Sequence, residues 1–208
     1  METVFEDAAV IVCIKPAGAA SQDDGTDLCM PALLRKKTGC KEIYPVHRLD
    51  TGAAGLTVFA KTRAAAAGLS RQAAEGRFRK EYLCAVHGVP EKEADVLEDL
   101  LFKDGRKNKT YVVTRERKGV KQAKLSYRTL ETVFLPDGPV SVLRVRLFTG
   151  RTHQIRVQFA SRRLPLLGDG KYGAADHVKN LALFCCSLSF LHPETGEALT
   201  FERTTSFL

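Results

Sequence analysis

From Phe78 to Phe148 the chain runs through short apolar segments separated by tight Gly, Pro or Asp turns. Phe78 to Val86 alternates Phe78, Lys80, Tyr82, Cys84 and Val86 on one face, a period of two that marks a strand. Leu100 to Phe102, Thr110 to Thr114, Ala123 to Phe134 and Val140 to Phe148 read as further strands, with residues 91–99 as an acidic turn. Strands joined so tightly cannot cross over, so they must form hairpins in a largely antiparallel sheet.

Outside this region the pattern is mixed. Residues 3–15 read as a strand, an Asp-containing turn and a buried second strand. Asp27 to Thr38 reads as a short helix with Asp27 as cap and Gly39 as stop. Residues 62–75 read as an alanine-rich helix with Thr62 at its N-cap and Gly76 beyond it. Leu181 to Phe190 is a last buried strand, followed by a hairpin through Pro193 and Gly196. Segment 151–163 fits either a strand or a helix. At 208 residues, with no repeat or linker, one domain over 1–208 is expected.

No apolar run reaches the length of a membrane span, and METVFEDAAV lacks the basic start of a signal peptide. A cytoplasmic protein is expected. The six cysteines form no CxxC pair and read as small buried hydrophobes in a reducing compartment. The five histidines have no metal-ligand spacing, so no metal is expected. Charge is uneven within a net +8: ten basic residues against Asp104 and Glu116 between Lys103 and Arg128, and seven against Asp169 between Arg144 and Lys171. Two such stretches point to a polyanionic partner, nucleic acid.

Three motifs stand out: KPAG at 15–18; HRLD at 47–50 with GLTVFAK at 55–61 and KEYLCAVHG at 80–88; and TGRTHQIRVQFA at 149–160 with PLLGDGKYG at 165–173. In this order and spacing they resemble the RluA-type pseudouridine synthases, from Val4 to about Pro193, in a short form limited to the catalytic domain. The family usually has Thr-Ser-Gly after HRLD and two further residues; here Ala53, Ala54 and Gly55 stand there, keeping the glycine and losing both hydroxyls.

The resemblance implies an α+β fold: a mixed, mostly antiparallel bent central sheet with flanking helices and a basic RNA-binding cleft. It also makes 151–163 the start of a helix. It implies isomerisation of specific uridines in ribosomal or transfer RNA, without cofactor or metal, by a protein acting on structured RNA and expected to be a monomer. Asp50 is then the catalytic carboxylate, Arg156 its charge partner, and Tyr82 the residue packed on the uracil near the C5 proton. Arg48 would fill the space left by the extruded base. His47 and His153 would orient turns, and Lys15, Arg151 and Lys171 are candidate phosphate contacts. Two other readings stay open: a catalytically silent RNA-binding or chaperone module of the same fold, and a hydrolase using Asp50. The hydrolase would need a second carboxylate, and Asp169, weighed for that part, reads as a structural residue of the LGDG turn.

Overall fold

The computed structural model describes residues 1–207. In chain order the elements begin with β1 (Thr3–Glu6), β2 (Val10–Lys15), α1 (Met30–Thr38), β3 (Tyr44–Pro45), β4 (Ala54–Ala60) and α2 (Arg63–Ala74). Next come β5 (Arg79–His87), β6 (Ala94–Asp104), β7 (Lys109–Val113), β8 (Val120–Leu135), β9 (Gly138–Leu147) and α3 (Gln154–Ala160). A 3-10 turn (Gly170–Tyr172), β10 (Leu183–Leu191) and β11 (Ala198–Glu202) complete the chain. The class is α+β, with mostly antiparallel strand pairing. Segment 151–163 does start a helix. Among the described residues no helix is long and apolar enough to cross a membrane.

The chain divides into two compact units. The first joins Met1–Glu81 to Phe184–Ser206, and the second runs over Tyr82–Leu183 with Phe207. In the first unit β2 pairs antiparallel with both β1 and β4, β10 pairs antiparallel with β11, and β4 meets β10 in parallel. Ile11, Phe59, Met30 and Leu34 are fully buried together, so α1 covers the β2–β4 ladder with the face that carries Met30 and Leu34. Thr62 caps α2 by accepting the Ala65 N–H, as its position predicts. Of the six free cysteines, five are buried and Cys40 is partly exposed.

Two local expectations are corrected. Helix α1 is preceded by Cys29 rather than Asp27, because Pro31 fits only the first turn and fixes where the helix begins. Residues 91–99 are not all turn: β6 starts at Ala94 and pairs with β8 from Ala94↔Arg128 to Phe102↔Val120. Asp95, Glu98 and Asp99 belong to a strand whose neighbour is basic. Glu98 lies directly opposite Lys124, and their side chains pair at 2.6 Å.

In the second unit, β7, β6, β8 and β9 lie side by side in that order as a continuous antiparallel sheet, so β8 returns to pair with β6 rather than with β7. Helix α3 packs on it through Val157, which is buried with Leu101 and Ala123. Ala85, Val140, Val142, Leu167 and Ala182 make a second buried cluster in this unit.

Candidate active site

In the first unit the chain leaves β3, passes through His47–Asp50, and turns back into β4, the Ala53 N–H donating to the Asp50 carbonyl at 3.0 Å. The turn is held from beneath. Lys15 is fully buried, and its ammonium donates to the carbonyls of Ala19 (2.7 Å), Pro16 (2.9 Å) and Thr51 (3.1 Å). Burial pushes Lys15 down to about 8, while the nearby Asp50 charge pulls it back up. Lys15 was expected among the phosphate contacts. Its three donors are instead spent on carbonyls, so it acts as an internal cation that ties the KPAG bend to the residue after Asp50.

Ser21 grips the same turn from the other side. Its buried hydroxyl accepts the Leu49 N–H at 3.0 Å and donates to the Leu49 carbonyl at 2.9 Å. Leu49 is buried, Arg48 is exposed, and Asp50 is half-buried. His47 Nε2 accepts the Val58 N–H at 3.1 Å, and its ring lies 5.0 Å from Phe78. Burial, helped by the Lys80 charge, holds His47 well below the usual imidazole range. The ring is therefore neutral and structural.

Gly55 has a different reason to be glycine from the turn the motif implied. It lies inside β4 at φ 115°, where a Cβ would come within 2.4 Å of the Cys185 backbone nitrogen on the parallel strand β10.

In the second unit, Tyr82 is buried on β5. Arg156 extends from α3, and its Nε and Nη2 each donate at 2.7 Å to a separate oxygen of Asp169. Asp169 is 1% exposed. The Tyr172 ring lies 5.0 Å from the Arg156 guanidinium, and its hydroxyl accepts the Thr110 N–H at 2.9 Å. The same hydroxyl shares a hydrogen bond with His153 Nδ1, also 2.9 Å away. His153 itself adopts a left-handed conformation, φ 53°, at the start of α3.

The loop before α3 is anchored by Gln154, which the sequence did not single out. Its side-chain oxygen accepts the Arg151 N–H and the Thr149 hydroxyl, and its amide donates to the Lys124 carbonyl on β8. Arg151 Nε donates to the Gln122 carbonyl at 2.8 Å, and Lys171 is exposed on the 3-10 turn. Of the residues sequence reasoning left aside, Ser21, Asp169, Tyr172 and Gln154 do most to position the others. Asp169 and Tyr172 had a signal, since both lie in the LGDGKYG motif.

Residues 9–161 match the family model described as RNA pseudouridylate synthase. The chain belongs to that family. Ribosomal large subunit pseudouridine synthase D of Zymomonas mobilis is 34% identical over 224 residues, covering 97% of this chain and 68% of that protein. Ribosomal large subunit pseudouridine synthase C of Buchnera aphidicola subsp. Schizaphis graminum is 31% identical, covering 94% of this chain and 64% of that protein. The chain thus spans about two thirds of the length of these pseudouridylate synthase relatives. The solved structure of human RNA pseudouridylate synthase domain containing 1 superposes over the whole chain and 84% of its own, with a TM-score of 0.86 at 23% identity. That agreement carries the fold.

Proposed function

We propose that this chain isomerises uridines of ribosomal RNA to pseudouridine, with Asp50 as the catalytic carboxylate. The names of the relatives support the substrate class. The observation that carries the reading is the Asp50 turn itself. A buried ammonium and a buried hydroxyl hold the backbone on both sides of a half-buried acid, the rigid support a reacting carboxylate requires.

In the reaction the C1′–N1 bond breaks, the freed uracil rotates, and C1′ joins C5. The C5 proton leaves and N1 gains one, so nothing is oxidised or reduced. Asp50 serves the sugar carbon as nucleophile or as base. Tyr82 packs on the uracil and assists the C5 proton transfer. Arg156, held in a fixed plane by Asp169, supplies positive charge. Arg48, exposed and with no hydrogen bond among the described residues, takes the place of the extruded base. Arg151 and Lys171 contact phosphates, and the basic strands β7 and β8 extend the RNA footprint. The six free thiols suit a reducing cytoplasm.

The test is tritium release from RNA labelled at uridine C5, taken from cells lacking this gene. Release by the wild-type protein and none by Asp50→Ala, with RNA binding retained by both, is the expected result. Substantial turnover by Asp50→Ala would refute the role of Asp50. RNA binding without release by either protein would favour the silent RNA-binding module.

A further inference from the structure

A pocket of about 150 Å³ opens in the second unit beside the GRTHQIR loop, and its walls include Lys103, Lys121, Arg151, Thr110 and Leu101. Strand register explains the convergence. Lys103 lies directly opposite Thr110, and Leu101 directly opposite Lys121. Opposed residues, and residues two apart on one strand, project from the same face. Four wall residues therefore share one side of the β7–β6–β8 ladder. Arg151 reaches the same place from the loop, with its Nε already fixed on the Gln122 carbonyl.

We infer that this pocket seats one backbone phosphate of the RNA, an anchor that rests on the isomerase reading but is separate from the reacting residues. No carboxylate lines the pocket. Among the described residues none forms an ion pair with Lys103, Lys121 or Arg151. Three cations converging without a counter-charge favour an anion strongly.

Thr110, 2% exposed, closes one side of the pocket. The Thr110 N–H also holds Tyr172, whose ring packs against Arg156. An occupied anchor would thus steady the support of Arg156.

The test measures binding of the same C5-labelled RNA by wild-type protein and Lys103→Ala/Lys121→Ala between about 50 and about 200 mM salt. The double variant should bind roughly 10-fold more weakly, and its slope of log affinity against log salt should shrink by about one. A control, Lys36→Ala/Lys41→Ala, removes the same charge from exposed positions of the first unit. An equal loss in that control, or no change in the pocket variant, overturns the anchor. If the pocket variant behaves as expected while the wild type releases no tritium, the isomerase reading falls and the phosphate site stands.

Discussion

Asp169 and Arg156 form a two-point pair, each carboxylate oxygen 2.7 Å from a different guanidinium nitrogen. Two parallel bonds fix the guanidinium plane as well as its position, and Tyr172 covers the group. Asp169→Asn keeps the shape but gives up one acceptor and the charge. It should lower stability by about 3 kcal/mol and saturating turnover by roughly 10- to 100-fold, with RNA affinity little changed. Denaturant unfolding and tritium release measure both. A variant that is less stable but turns over normally would make Asp169 purely structural.

Lys15→Met should loosen the Asp50 turn. The methionine retains most of the packing but leaves the Pro16, Ala19 and Thr51 carbonyls without their donor, at a cost of about 2 kcal/mol. Lys15 also leaves a pH signature. Its folded value, about 8, is below its ordinary 10.5, so between them the unfolded chain binds more protons. Stability contributed by this residue therefore rises as pH climbs from about 8 to 10.5. Across that window the stability of the wild type relative to Lys15→Met should rise with pH, as unfolding curves of the two proteins would show.

Gly55→Ala tests the crossing of β4 and β10. The added methyl would meet backbone rather than a movable side chain, at a φ of 115° that alanine resists. A loss of about 3 kcal/mol or more is expected. Thermal unfolding checks it, and a near-neutral variant would mean the two strands can part without cost.

Acid should act on the first unit through His47. Its folded value lies below 6.5, so the stability tied to its neutral form is complete above pH 6.5 and is lost as pH falls beneath it. Protonation would also take Nε2 away from the Val58 N–H. The stability of His47→Gln, followed from pH 7 to pH 5, should decline less steeply than that of the wild type. Equal slopes would assign the acid limb to other groups.

Local pattern carried the elements well: Thr62 as a cap, Gly39 as a stop, and the period-two run on β5 all stand where spacing put them. It failed where the deciding partner was distant in sequence. The acidic run 91–99 looked like solvated turn because its basic complement, around Lys124, lies on another strand. Lys15 looked like a surface cation because nothing nearby shows that the Thr51 carbonyl, thirty-six positions on, accepts from it. The same blindness hid Ser21 behind Leu49. Asp169 was read as a turn residue because its use depends on a guanidinium thirteen positions earlier. Motif resemblance put forward Asp50, Tyr82 and Arg156; the groups that hold their backbones and side chains required coordinates.

The first unit is assembled from two stretches of chain, Met1–Glu81 and Phe184–Ser206. Its parallel contact, Ala54 with Phe184 and Gly55 with Cys185, joins residues far apart in sequence. The second unit is dominated by hairpins between neighbouring strands, which close quickly. During synthesis the β6–β9 sheet can therefore form on the ribosome while β4 still waits for its neighbour. The unit that carries Asp50 is the last to be finished, so an interrupted translation product would hold a formed β6–β9 sheet and an incomplete Asp50 unit.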